Sequence, residues 1–134
     1  MNRRELPDVA VVVSFIDRVN HADVEGLGCL MTADHTLQVL DEPPLRGREA
    51  NLRAWRGYLT SYPAYVIYPR RIAGHAGRVG VLGHTTGSHL GLPDEQEREL
   101  TVIWVADVVG GRLATWRVAA DTADLREELG LDRS

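Results

Sequence analysis

Glu99-Leu-Thr-Val-Ile-Trp-Val-Ala-Asp-Val-Val-Gly-Gly-Arg-Leu-Ala-Thr-Trp-Arg-Val-Ala-Ala-Asp121 is the stretch of sequence that decides the fold. Two runs rich in β-branched and aromatic residues flank Gly110-Gly111, a dipeptide that supplies the positive φ angles of a tight hairpin turn. Each run carries one tryptophan, Trp104 before the turn and Trp116 after it. The stretch therefore predicts a β-hairpin near the end of the chain.

The rest of the chain predicts helices first and long strands afterwards. The spacing of apolar residues and the capping residues indicate three helices, which open at Pro7-Asp8, at the N-cap Asp23 and at about Arg48, the last ending at Ser61. Strands are predicted at His35–Leu40, Ala64–Ala73, Arg78–Leu90, Arg98–Val109 and Arg112–Ala120. A short terminal helix follows Asp121 and ends at Gly130. This order predicts a single α+β domain over residues 1–134, with three N-terminal helices against a curved antiparallel sheet.

Composition excludes several kinds of chemistry. The net charge of −4 disfavours nucleic-acid binding, which needs a basic surface. All 15 basic residues are arginine, so the chain has no lysine for a Schiff base or a general base. The single Cys29 lies among apolar helical residues and is predicted to be a small buried side chain. Neither a signal peptide nor a membrane-spanning stretch is recognised, so we expect a cytoplasmic protein.

Three segments carry a resemblance to a known superfamily. They are Asn20-His-Ala-Asp-Val-Glu-Gly-Leu27, Leu45-Arg-Gly-Arg-Glu49 and Gly110-Gly-Arg-Leu-Ala-Thr-Trp-Arg117. With this order of elements the chain resembles the nuclear transport factor two-like superfamily, and within it the SnoaL-like group of polyketide cyclase relatives. The resemblance implies a cone whose curved sheet encloses a pocket, and a homodimer formed through the outer face of the sheet. Isomerases, hydrolases, cyclases and binding proteins share this fold, so the fold alone does not choose among them.

Two catalytic patterns of the superfamily are broken at the matching positions. Phe15 stands where the ketosteroid isomerase relatives carry an oxyanion-donating tyrosine, and Ile103 stands near the position of their oxyanion acid. Val118 stands where the limonene epoxide hydrolase relatives carry a catalytic aspartate. The SnoaL-like cyclases use an acidic residue near the end of the last strand, and Asp121 is the candidate for that role. Asp121 is also placed as a helix N-cap, and both interpretations stay open.

Strand alternation predicts the remaining site residues. With Trp116 and Val118 facing the pocket, superposition on the resembled fold turns His84 inward and turns Trp104 outward to a dimer partner. The predicted ligand-binding residues are Thr86, Trp55, Tyr62, Leu82, Ile103, Trp116 and Val118. His84 is the leading candidate for proton transfer, because imidazole titrates near neutral pH, and Asp121 and Asp41 are the candidate acids. A hydrogen-bonded core histidine is the alternative for His84.

Two functions are compatible with these observations. The first is a cofactor-free isomerase, cyclase or hydrolase that acts on a small apolar or aromatic molecule. The second is a non-catalytic ligand-binding or accessory dimer. A cavity around His84 favours the enzyme, whereas a cone filled by side chains favours the binding protein. No metal site is predicted, because the histidines lack the short spacing of common zinc ligands.

Overall fold

The computed structural model describes residues 5–132, with side chains over residues 7–132. Within this range the chain forms five helices and six strands. In chain order the elements are α1 Glu5–Asn20, α2 Val24–Cys29, β1 Met31–Val39, β2 Leu45–Arg46, α3 Arg48–Ser61, β3 Val66–His75, β4 Arg78–Thr86, α4 Asp94–Glu97, β5 Val102–Val109, β6 Arg112–Ala120 and α5 Ala123–Leu129. Within these residues, no helix combines the length and the apolar character that a membrane span requires.

The six strands form one curved sheet in the order β2-β1-β6-β5-β4-β3. All neighbouring strands are antiparallel except β1 and β6, which are parallel. The predicted α+β fold, a curved sheet packed against three helices with a short helix after the last strand, is confirmed. The first two strands precede α3, so the helices do not all come before the strands. The parallel pair corrects the expectation of a wholly antiparallel sheet, and it joins the first strand of the chain to the last.

The sheet has two differently covered faces. The inner face is covered by α1 and α3, and α2 packs against both of these helices. The inner side chains form the main core with Phe15 of α1. The outer face carries α5, where Leu82, Ile103 and Val105 pack against Leu131 and the partly buried Leu129. The absence of a side chain at Gly80 permits this approach, because a Cβ there would lie 2.9 Å from the Cβ of Leu129.

One extra residue in β6 determines which side chains face inward. Near the Gly110-Gly111 turn, Val108 pairs with Leu113, but the next pair joins Asp107 to Thr115. Ala114 is therefore unpaired and forms a β-bulge. Because side chains alternate strictly between faces, an extra residue reverses the alternation of one strand relative to its neighbour.

The bulge brings both tryptophans of the hairpin to the inner face. Ala106 pairs with Trp116 and Trp104 pairs with Val118, so all four share one face. The two indole rings stack with centroids 6.2 Å apart and planes at 22°. Trp104 is 1% exposed, so the prediction that it points outward to a dimer partner is wrong.

Some element boundaries agree with the prediction, whereas others differ by up to four residues, as at the start of β1, and the short elements β2 and α4 were not predicted. The predicted limits of α3 and β6 are confirmed. The strand predicted to continue to Leu90 ends at Thr86, and the one-turn helix α4 occupies part of the connection to β5. Helix α5 is capped by the hydroxyl of Thr122, which accepts a hydrogen bond from the backbone N–H of Leu125 at 3.1 Å. Cys29 is exposed, contrary to the prediction of a buried thiol.

Candidate functional site

His84 lies on the outer face of the sheet. Leu82 pairs with Ile103, and His84, two residues further along β4, shares their face. Its ring stacks on Tyr68, with centroids 4.7 Å apart and planes at 15°. Burial lowers the pKa of His84, and the positive charges of Arg70 and Arg98 lower it further. The prediction that His84 faces the space between the sheet and the helices is wrong. It took the faces of β4 and β5 from an unbulged pairing with β6, and the bulge reverses them.

Three predicted ligand-binding residues share this outer face. Leu82 and Ile103 belong to the apolar cluster beneath α5. Thr86 pairs with Val66, and its hydroxyl lies 3.4 Å from that of Tyr68. These side chains therefore pack outside the space between the sheet and the helices, which we call the interior.

Asp121 forms an ion pair rather than a helix cap. Its two carboxylate oxygens accept hydrogen bonds from Nε and an Nη of Arg126, both at 2.6 Å, and the hydroxyl of Thr101 donates another. The hydrogen bonds from Arg126, assisted by that from Thr101, lower the pKa of Asp121 to about 2. Asp121 is therefore ionised at neutral pH and holds α5 against the end of β6.

The structure does not bring the three predicted catalytic residues together. His84 stacks on Tyr68 on the outer face, and Asp121 is engaged by Arg126. Asp41 is exposed in the turn that follows β1. His84, Asp121 and Asp41 therefore do not form the predicted combination of an imidazole with a nearby carboxylate.

Four of the predicted site residues do lie on the interior side. Trp116 and Val118 project from the inner face, and Trp55 is a buried residue of α3. The ring of Phe15 lies 4.9 Å from that of Trp116 and 6.2 Å from that of Trp55. These rings fill the centre of the interior. Tyr62 lies at its edge, 4.8 Å from the ring of Tyr58.

Beyond Trp55, the edge of the interior is lined by a group that we call the tyrosine cluster: Tyr58, Tyr62, Tyr65 and His89. Tyr58 is at its centre, with ring centroids 5.0 Å from Tyr65 and 5.7 Å from His89. Its hydroxyl accepts a hydrogen bond from the backbone N–H of His89 at 3.2 Å and lies 2.8 Å from Nδ1 of the same residue. Burial raises the pKa of Tyr58 and of Tyr65, so both are neutral phenols at physiological pH.

Glu97 lies beside this cluster and is 1% exposed. The hydroxyl of Thr85, on the inner face of β4, donates a hydrogen bond to one carboxylate oxygen. The backbone N–H of Ser88 approaches the other oxygen at 3.4 Å. Both donors are neutral, in contrast to the guanidinium that binds Asp121. The hydrogen bond from Ser88, the chain neighbour of His89, holds Glu97 beside the cluster, and its negative charge contributes to the raised pKa of Tyr58 and of Tyr65.

His35 is the histidine that the structure places in the interior. It is fully buried, and its Nδ1 lies 2.7 Å from the carbonyl oxygen of Leu113. Burial lowers the pKa of His35 despite the opposing effects of this hydrogen bond and of Asp34. His35 is absent from the predicted site, although the alternation of the first strand puts it on the same face as Leu37 and Val39.

Two surface cavities lie away from these groups. The larger, of about 420 Å³, opens between α2 and α3 and is lined by Asp23, Glu25 and Arg56 among others. The smaller, of about 160 Å³, lies on the outer face beside the Arg78–Asp107 ion pair. The buried polar groups of the interior, rather than these open clefts, are the candidates for chemistry.

Comparison with known families gives a match over most of the chain. The profile of the SnoaL-like domain matches residues 12–116. A comparison with curated proteins finds no match.

Solved structures share the fold at low sequence identity. A SnoaL-like polyketide cyclase, so described provisionally, from Jannaschia sp. CCS1 superposes with a TM-score of 0.73 at 15% identity, covering 99% of this chain and 98% of that one. A protein described in the same provisional way as a polyketide cyclase, from Sinorhizobium meliloti, gives 0.68 at 21% identity, covering 81% and 93%. An epoxide hydrolase from M. tuberculosis, of the LEH-like type, gives 0.70 at 15% identity, covering 96% and 92%. At these identities the comparison establishes the fold.

Proposed function

The chain belongs to the SnoaL-like domain family, and we propose that it binds a small apolar or aromatic molecule against the tyrosine cluster and moves a proton through Glu97, without a cofactor. One observation carries this proposal: Glu97 is 1% exposed, its hydrogen-bond donors are neutral, and it lies beside a group of aromatic side chains. Small-molecule sites are mostly apolar surfaces with a few such polar groups.

The surroundings of Glu97 suit general acid–base chemistry. A carboxylate paired with a cation, such as Asp121, is a poor proton acceptor, because the ion pair stabilises its charge. Glu97 is held by a hydroxyl and an N–H, so no bound cation must be displaced when it takes a proton from a ligand. Taking a proton from a carbon beside a carbonyl and returning it elsewhere is the elementary step of an isomerase or a cyclase, the reaction classes that we favour.

Deuterium exchange into a simple aromatic ketone tests this role of Glu97. We expect the protein to accelerate exchange at C1 of 2-tetralone in D₂O, followed by proton NMR. Glu97→Gln removes the base but keeps the size of the side chain, and should lower the enzymatic exchange rate by about 100-fold or more. Glu95→Gln, an exposed neighbour on the same short helix, is the matched control and should leave the rate unchanged.

Equal rates for the protein and for Glu97→Gln would refute the role of Glu97. Failure of 2-tetralone and of larger flat aromatic compounds to bind at all would refute the ligand site as well. Native mass spectrometry of freshly purified protein supplies an independent check, because a resident apolar ligand should be retained as a discrete added mass.

A second candidate function is a non-catalytic binding or accessory protein. The filled centre of the interior favours it, since Phe15, Trp104 and Trp116 are each at most 1% exposed. The ring of Trp116 lies between the other two and contacts both. Saturable ligand binding with no exchange above the buffer rate, in both the protein and Glu97→Gln, would select this function.

A further inference from the structure

Three buried polar atoms in one part of the interior find no hydrogen-bond partner among the described residues. They are Nε2 of His35, Oδ1 of Asn51 and Nε1 of Trp55. His35 and Asn51 are fully buried and Trp55 is 8% exposed. Buried polar groups in folded proteins are nearly always paired, so three unpaired ones together call for a specific explanation.

The three side chains are linked through α3, the backbone of His35 and the ring of Phe15. Asn51 and Trp55 are four residues apart on α3, so they lie on the same side of that helix. The side-chain nitrogen of Asn51 donates to the backbone carbonyl of His35 at 3.1 Å. The ring of Phe15 lies 6.2 Å from those of both His35 and Trp55.

The hydrogen-bonding character of His35 follows from its partner. A carbonyl oxygen only accepts, so the contact with Leu113 puts the proton on Nδ1 of His35. Because burial lowers the pKa of His35, the ring is neutral at physiological pH and Nε2 keeps a free lone pair.

The characters of the other two atoms are also determined. The side-chain nitrogen of Asn51 donates toward the carbonyls of His35, Leu45 and Gly47 at 3.1, 3.0 and 2.9 Å, which fixes the amide with Oδ1 as the acceptor. The indole Nε1 of Trp55 can only donate. The interior therefore presents two acceptors and one donor.

We propose that His35, Asn51 and Trp55 form a binding site for one hydroxyl group, which accepts from the indole of Trp55 and donates to His35 or Asn51. Water has this complement, with two hydrogens to donate and lone pairs to accept. So does the hydroxyl of an alcohol or a phenol. That the hydroxyl comes from an organic ligand rests on the proposed function, whereas the site for water does not.

A matched pair of ligands tests the site. Phenol and toluene have nearly the same shape, but only phenol carries a hydroxyl. We expect phenol to bind about tenfold more tightly than toluene in NMR titrations, the contribution of a well-made buried hydrogen bond. Trp55→Phe removes the N–H and keeps an aromatic ring, and should reduce this preference, because the hydroxyl then loses its donor. Trp104→Phe makes the same change in the same core without touching the three atoms, and should retain it.

A second measurement does not depend on a variant that folds. In the unaltered protein, the imidazole ¹⁵N resonances should show His35 as the neutral Nδ1–H tautomer, and addition of phenol but not toluene should shift the Nε2 resonance upfield, as expected when it accepts a hydrogen bond. A shift with both ligands, or with neither, counts against an organic hydroxyl at this site.

Crystal structures with and without phenol distinguish the two sources of the hydroxyl. A phenol oxygen within hydrogen-bonding distance of the three atoms supports the full proposal. A water retained there in both crystals, with equal binding of phenol and toluene, supports the site but refutes the organic hydroxyl. An oxygen atom in neither crystal refutes the site. All three outcomes are independent of whether Glu97→Gln loses exchange activity, so the proposed function stands or falls separately.

Discussion

Asp121 and Arg126 form a bidentate ion pair, and this pair should make the stability of the fold depend on pH in the acid range. The side chain of Asp121 is 11% exposed and that of Arg126 is 34% exposed, so solvent screens the pair only in part. The pKa of Asp121 is lowered from 3.8 to about 2 in the folded protein. A lowered pKa means that folding favours the ionised form, which links the stability of the fold to pH.

We expect Asp121→Asn to lower the free energy of unfolding by about 1–2 kcal/mol at pH 7. The difference from the unaltered protein should be constant above about pH 4 and should shrink as the pH falls toward 2, where Asp121 itself becomes protonated. Urea denaturation over this range measures it. Asp41→Asn, an exposed carboxyl in a turn, should change stability by less than about 0.5 kcal/mol at any of these pH values. A difference that grows on acidification would contradict the assignment.

Individual residues also show where sequence reasoning reached its limit. The inward position of His35 can be predicted from the sequence, because the alternation of its strand places it with Leu37 and Val39. The position of Glu97 cannot be predicted in this way, because it depends on the one-turn helix α4 in a segment whose acidic residues are typical of a solvated turn. A local pattern predicts which face a strand residue takes, but not where a connecting segment directs a side chain.

At the scale of elements, replacing glycine by alanine should change the stability of the fold in opposite directions at two positions. Gly80→Ala would place a Cβ 2.9 Å from that of Leu129 and press α5 away from the outer face, which should destabilise the fold by about 1–3 kcal/mol. Gly57→Ala, in α3, meets no atom within 4 Å and should stabilise the fold by about 0.5–1 kcal/mol through helix propensity. Thermal unfolding of both variants measures the difference. Similar effects of equal sign would show that α5 does not pack on β4 as described.

The elements themselves were predicted well because helical spacing, capping residues and glycine turns are local signals. The faces of β4 and β5 were not, and the cause is one residue. A two-residue turn without a bulge would pair Val105 with Trp116 and turn Ile103 inward, which is the arrangement predicted from the sequence. The bulge at Ala114 shifts this pairing by one. Nothing in the run Leu113-Ala-Thr-Trp116 distinguishes a bulged strand from a regular one. Each residue of β4 and β5 whose face is predicted from Trp116 is therefore placed on the wrong face.

At the scale of the whole molecule, α5 covers the β3–β5 part of the outer face. The predicted homodimer through this face stays a prediction, but Trp104 has no part in it. A partner would meet the remaining part of the face, where Thr36 and Arg117 line the smaller cavity. This surface is polar, so a dimer formed there would depend on hydrogen bonds more than on apolar burial.

Removal of α5 should change how the molecules associate. A chain that ends at Asp121 exposes Leu82, Ile103 and Val105, an apolar patch of the kind that drives self-association. We expect its mass by size-exclusion chromatography with light scattering to exceed that of the full chain at equal concentration, and to rise with concentration. A truncated chain with the same association state as the full one would mean that α5 does not shield this face.

The parallel pairing of β1 with β6 has a consequence for the order in which the protein can be built. Among the strands of the described residues, β1 is synthesised first and its partner β6 last. The contact between His35 and the carbonyl of Leu113 spans 78 positions of the chain. Contacts of such long range form late and slow the folding of a small domain. The helices and the β3–β5 meander can assemble during synthesis, but the interior that holds His35 forms only after β6 has been synthesised.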